Sequence, residues 1–89
     1  MKKKELQRIE KLYLAARAGP WCSYIEGRDH TSGSDFIMIG EDENRSDDIE
    51  LLGATKADQD FIASARQDVP KLVAEVKRLK AKLNEKGST

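Results

Sequence analysis

Three arginines and two aromatic residues are the side chains of this sequence best suited to ligand chemistry. Planar guanidinium groups bind phosphate through paired hydrogen bonds, and aromatic rings stack on bases. Together these residue types predict a site for a small phosphorylated, base-bearing ligand, formed by Trp21, Tyr24, Arg28, Arg45 and Arg66. The alternative is that the aromatic residues belong to the hydrophobic core, as they commonly do in small proteins.

One polar segment contains the residue types of a nucleophile, a base and an orienting acid. His30 and Ser32 lie there with Asp29 and Asp35, but the segment carries no recognised nucleophile motif. Cys22 is the single cysteine and has no second histidine to activate it. We therefore expect a protein without enzyme activity.

The acidic run at 41–48 offers oxygen ligands of the kind that calcium prefers, but its spacing is wrong. Counted from Asp42, Asp47 stands where a calcium loop needs glycine, and Gly53 stands where it needs a bidentate glutamate. One cysteine and one histidine also exclude the usual zinc sites. The sequence therefore predicts a solvated turn, with no metal and no cofactor.

An apolar seam is the most regular pattern in the sequence. Its members recur at spacings of three and four, as in a coiled coil or a tightly packed helix pair. Glu75 and Lys80 flank the seam at positions that could pair between chains. We expect a homo-oligomer interface here, and the alternative is a helix that lies on its own sheet. The seam consists of Ile62, Ala65, Val69, Leu72, Val76, Leu79 and Leu83.

The charges balance overall but are segregated along the chain. Sixteen basic and sixteen acidic residues cancel, so the net charge gives no reason to expect binding to membranes or nucleic acids. Residues 35–60 contain nine acidic and two basic side chains, a middle segment that would repel a polyanion. No apolar run approaches the length of a membrane span, and a single cysteine fits a reducing compartment. We expect a cytoplasmic protein.

The elements that must position these residues form an α+β fold. Residues 1–18 are predicted as an N-terminal helix that Gly19 and Pro20 end. Residues 21–52 are predicted as an antiparallel sheet of two or three strands, at 21–25, 36–39 and, at an edge, 49–52. Residues 55–85 are predicted as two helices that meet at a break at Pro70. Residues 1–86 thus form a single small domain, and 87–89 form a tail.

Two segments carry a resemblance to a known group of proteins. Gly-Pro-Trp at 19–21 follows a short helix, and the block at 57–79 runs from Ala57 to Leu79. In these features the chain resembles the Ead-like small accessory proteins of tailed phages and prophages. The resemblance implies a non-enzymatic accessory or counter-defence role in the cytoplasm of a bacterial host.

Two functions remain open. The first is an oligomeric binding protein, such as a sponge that sequesters a nucleotide-like immune signal. The second is an inhibitor or adaptor that acts on a host protein through its C-terminal helices. Pockets between copies would agree with the seam and the arginine–aromatic set.

Overall fold

The fold consists of one short helix, a three-stranded antiparallel sheet and one long helix. The computed structural model describes residues 1–87, with helical side chains described as far as Asn84. Along the chain, the elements are α1 (Lys3–Ala15), β1 (Trp21–Tyr24), β2 (Phe36–Ile39), a 3₁₀ turn (Asp42–Asn44), β3 (Ser46–Ile49) and α2 (Lys56–Gly87). This arrangement confirms the predicted α+β class.

The sheet has the order β1-β2-β3, so β2 is the central strand. Trp21 pairs with Ile39 and Tyr24 with Phe36, which places β1 and β2 at the predicted positions. Ile37 pairs with Ile49, and a bulge follows before Ile39 meets Ser46. The fully buried Ile37 and Ile39 form the centre of the core with Ala63 of α2.

The third strand begins three residues earlier than predicted, because the preceding turn is tight. Gly40 has a φ of 78°, and a Cβ atom there would lie 2.2 Å from the carbonyl oxygen of Asn44. The turn is closed by a 2.9 Å hydrogen bond that the Asn44 N–H donates to the Glu41 carbonyl. The third strand therefore begins at Ser46 and ends at Ile49. The predicted edge strand at 49–52 was placed three residues too late.

The long helix α2 begins with the capping box that the sequence predicts. The Asp58 N–H donates to Thr55 Oγ1 and the Thr55 N–H donates to Asp58 Oδ2, both at 3.0 Å. Its 32 residues run through Pro70 without a break, so the prediction of two helices was wrong. Asp68 does not cap a second helix, because its carboxylate accepts a hydrogen bond from Ser64 one turn earlier. Tertiary contacts hold both sides of Pro70, through Gln67 before it and the buried Val73 after it.

The two chain ends differ in detail from the prediction. Helix α1 ends at Ala15, and the next residue, Ala16, is already extended. Gly87 is the last residue of α2, so the predicted tail is helical at its first residue, and 88–89 lie outside the described residues. Neither helix within residues 1–87 has an apolar stretch long enough to cross a bilayer.

Candidate functional site

Helix α2 contacts the sheet through a stripe of residues that is distinct from the predicted seam. Gln59 is 3% exposed and its Nε2 donates to Ser23 Oγ at 2.9 Å and to the Phe36 carbonyl at 3.1 Å. Ala63 is buried one turn later, and Gln67 bonds to the backbone of Trp21 one turn after that. A spacing of four residues puts this stripe on one helical face, so the sequence contains a pattern that predicts the packing face. Two of its three members are glutamines, and a search for apolar periodicity does not count them.

The apolar seam lies on a different face of α2 and remains largely open to solvent. Leu72, Leu79 and Leu83 are 63%, 47% and 69% exposed. Ile62 is also exposed, whereas Ala65, Val69 and Val76 are half-buried. Leucines this exposed, recurring along one side of a helix, form the kind of contiguous apolar patch that marks an interaction surface.

Helix α1 packs antiparallel along the flank of α2 next to the seam. Near the start of α1, Lys80 Nζ donates to the Met1 carbonyl. Further along α1, Lys77 Nζ lies 2.6 Å from Glu10 Oε1. Near the end of α1, the Arg66 guanidinium lies 6.0 Å from the centre of the Tyr13 ring. Glu75 pairs with Arg78 on its own helix. Both side chains predicted to pair between chains, Glu75 and Lys80, are thus engaged within the chain.

Arg28 is held in an internal ion pair. Its guanidinium donates to both carboxylate oxygens of Asp60, at 2.8 and 3.0 Å, and its Nε donates to Asp29 at 3.0 Å. The hydrogen bonds from Arg28 and then from Ser23 lower the pKa of Asp60 to about 2. The Arg28 donors that would bind a phosphate are therefore occupied by Asp60 and Asp29. These bonds link the loop between β1 and β2 to α2.

Arg45 and Tyr24 lie apart from the other predicted ligand residues. Arg45 donates to Asp48 Oδ1 at 3.1 Å at the end of the 3₁₀ turn. The Tyr24 ring stacks on Phe36 at 5.4 Å between ring centres, on the sheet face opposite the Gln59 stripe, and His30 packs against Phe36 at 5.0 Å. The cysteine next to Tyr24, Cys22, raises the pKa of the tyrosine hydroxyl.

Trp21 and Arg66 lie close together at the other end of β1. Trp21 packs against the Ile37–Ile39–Ala63 core, and its indole N–H donates to the Arg17 carbonyl at 3.2 Å. Arg66 differs from the other two predicted arginines because its Nε and Nη1 are buried and have no hydrogen-bond partner among the described residues. Of the five predicted ligand residues, Trp21 and Arg66 thus lie close together, through the intervening Gln67. Tyr24 instead lies within reach of the Arg45 charge, which acts to lower its pKa against the larger effect of Cys22.

An open groove of about 430 Å³ lies beside Arg66, between α1, the Gly19–Pro20 corner and α2. A Cβ atom at Gly19 would lie 3.6 Å from Arg66 Cγ, so the corner approaches the arginine stem closely. Lys71 adds a second positive charge to the groove, whose lining includes no acidic residue. The other lining residues are Tyr13, Leu14, Pro20, Gln67 and Pro70.

The polar segment around His30 contains a histidine–serine contact but not a relay. Ser32 Oγ lies 2.7 Å from His30 Nδ1, to which the Ser32 backbone N–H also donates at 3.0 Å. Glu26 approaches the same nitrogen at 3.5 Å, whereas a relay needs the acid on the opposite nitrogen. Asp29 and Asp35 accept backbone N–H groups of Ile25 and Glu26 instead. Within residues 1–87 no three His, Cys, Asp or Glu side chains are grouped to hold a metal ion.

No family model matches the chain, and comparisons with curated proteins and with solved structures gave no match. The resemblance to Ead-like phage proteins therefore stays a prediction that depends on residues 19–21 and 57–79.

Proposed function

We propose that this chain is a non-enzymatic binding protein that works as a homo-oligomer, with α2 as the assembly element. The observation that carries the proposal is the exposure of the seam leucines on a continuous helix, away from the stripe that packs on the sheet. Burial of apolar side chains is the main driving force of association, and a chain of 89 residues gains from burial that it cannot supply alone.

A second copy is the occupant that fits the seam best. The seam alternates branched residues, Ile62, Val69 and Val76, with Leu72 and Leu79, which is the pattern that two-stranded coiled coils use. With α1 already on one flank, two α1–α2 hairpins that meet through their seams would form a four-helix arrangement. Such a dimer leaves the Gln59 stripe and the sheet unchanged.

Analytical ultracentrifugation of the wild type and of a Leu72→Asp, Leu79→Asp double variant tests the proposal. We expect the wild type to sediment at a multiple of 10.0 kDa and the variant at 10.0 kDa, because two carboxylates cannot be buried in the seam. Leu52→Asp is the matched control, since Leu52 is fully exposed but lies outside the seam. A wild type that stays monomeric, or a folded double variant with the wild-type mass, overturns the proposal.

The counter-defence role is the part of the proposal that the resemblance supports. A chain that sequesters a small immune signal would retain it through purification from phage-infected, defence-positive bacteria. Native mass spectrometry of that material reports the assembly and any retained ligand together. A nucleotide-sized added mass on the oligomer supports sequestration, whereas a host protein bound in a fixed ratio supports the inhibitor or adaptor function instead.

A further inference from the structure

The fold places helix α1 and the sheet on different halves of α2. The sheet packs on the N-terminal half of α2, through Gln59 and Gln67. Helix α1 packs on α2 and not on the strands, and its contacts run from Arg66 to Lys80 in the C-terminal half. The molecule is accordingly elongated, at 60 Å long and 28 Å by 19 Å across.

These two halves of the molecule carry opposite charge. The basic half consists of residues 1–15 and 71–84, which contain ten basic and three acidic side chains. The acidic half is formed by residues 26–60, which contain eleven acidic and three basic side chains. Lys82 and Glu43, one from each half, are exposed and form no ion pair among the described side chains. A chain of zero net charge thus has two regions of strong and opposite potential.

Two copies that meet through the seam can run in the same direction or in opposite directions. In two-stranded helical pairs the apolar residues set the number of strands, whereas charges beside the seam set the orientation. A parallel pair puts the two acidic halves side by side and likewise the two basic halves. Because Leu72 lies near the middle of α2, an antiparallel pair puts each basic half beside the acidic half of the partner.

We propose that the two copies run antiparallel, so that the basic half of each chain docks against the acidic half of the other. This proposal rests on the self-association through the seam and adds its orientation and a second contact surface. A two-fold axis near Leu72 forms the contact twice and closes the dimer. Single exposed ion pairs contribute little, but here many charges act with the same sign, and a parallel pair would turn their attraction into repulsion.

The side-chain sizes in the seam also favour the reversed direction. A parallel pair in register places Ala65 opposite Ala65 of the partner, which leaves a gap between two small side chains. An antiparallel pair centred near Leu72 places Ala65 opposite a larger seam residue between Val76 and Leu83. The reversed seam therefore pairs small with large side chains, as close packing requires.

Distances between spin labels, measured by pulsed electron paramagnetic resonance, report the direction. In a Cys22→Ser background, one label is placed at Ala74→Cys, near the middle of α2, or at Ala57→Cys, near its start, and both alanines are exposed. Packed helices lie about 8–10 Å apart, so Ala74 labels are close in either orientation. Ala57 precedes Leu72 by fifteen residues. At a rise of about 1.5 Å per residue, an antiparallel pair holds the two Ala57 labels about 45 Å apart.

Charge reversals in the two halves test the physical cause. Lys82→Glu puts a negative charge into the basic half and should weaken dimerisation about threefold by analytical ultracentrifugation. Lys56→Glu is the matched control, because it makes the same change in the acidic half and should tighten the dimer by a similar factor. A parallel pair reverses both signs. Higher salt should weaken the antiparallel wild-type dimer, because it screens the attraction between unlike halves.

The outcomes separate this proposal from the assembly on which it rests. A short Ala74 distance with a long Ala57 distance supports the antiparallel dimer. Short distances at both positions overturn the orientation and leave assembly through the seam standing. Absence of any dipolar coupling at Ala74 overturns both proposals. Tightening by Lys82→Glu, or effects of the same sign in the two reversals, overturns the docking of unlike halves.

Discussion

The side-chain amide of Gln67 forms both hydrogen bonds of a neighbouring strand with the backbone of Trp21. Gln67 Oε1 accepts from the Trp21 N–H at 2.8 Å, and Nε2 donates to the Trp21 carbonyl at 3.1 Å. Because β1 is an edge strand, these backbone groups have no strand on that side. One glutamine on α2 thus closes the sheet edge and anchors the helix.

Gln67→Leu should destabilise the fold, because it keeps the volume but leaves the Trp21 N–H and carbonyl without partners. We expect a loss of about 1–3 kcal/mol in the free energy of unfolding, measured by urea denaturation. Gln7→Leu on the exposed surface of α1 is the control and should change stability by less than about 0.5 kcal/mol. Equal effects of the two variants would contradict the anchoring role.

Gly40→Ala should be among the most damaging single substitutions in the chain. The backbone there has a φ of 78°, and the new Cβ would lie 2.2 Å from the Asn44 carbonyl oxygen, which is backbone and cannot move aside. We expect a loss of more than about 2 kcal/mol by urea denaturation. Gly53→Ala is a matched control, because its φ is 80° but a Cβ would meet nothing within 4 Å. It should cost only the backbone strain, about 1 kcal/mol.

The Arg28–Asp60 pair should make stability depend on pH in the acid range. The pKa of Asp60 falls from its ordinary value of 3.8 to about 2 in the folded chain, so the pair stabilises the fold above pH 3.8. That contribution should disappear as the pH falls from 3.8 through about 2. Melting curves of the wild type and Asp60→Asn should differ at pH 7 and converge near pH 2. A difference that persists at pH 2 would show that Asp60 acts through packing.

Pro70→Ala should stabilise α2, because a continuous helix lacks one backbone hydrogen bond at the proline. An alanine N–H at this position can donate to the Arg66 carbonyl four residues earlier. We expect a gain of about 1–3 kcal/mol in the free energy of unfolding and a higher helix content by circular dichroism. Lys71→Ala serves as the control for propensity alone. Unchanged stability in Pro70→Ala would indicate that the helix does break at this position.

Short-range patterns were predictable from the sequence. The capping box of Thr55 and Asp58 joins residues three apart, and the strands at Trp21 and Phe36 follow from aromatic and branched residues between glycines. In each case the residues that decide the element are neighbours along the chain, although the two strands pair across the loop between them. Composition and local sterics are therefore enough to decide the local structure.

The tertiary structure decided which residues meet across the chain. Apolar periodicity identified a seam from Ile62 to Leu83, but the sheet packs on Gln59, Ala63 and Gln67. The two glutamines donate to or accept from the Ser23 hydroxyl and backbone groups of β1 and β2, which leucine could not do. Likewise, Arg28 forms an ion pair with Asp60, 32 residues away, so its donors are not available for the predicted ligand. Arg66, in contrast, forms no ion pair with a carboxylate among the described residues. Such pairings depend on how the elements pack, and residue types alone do not specify them.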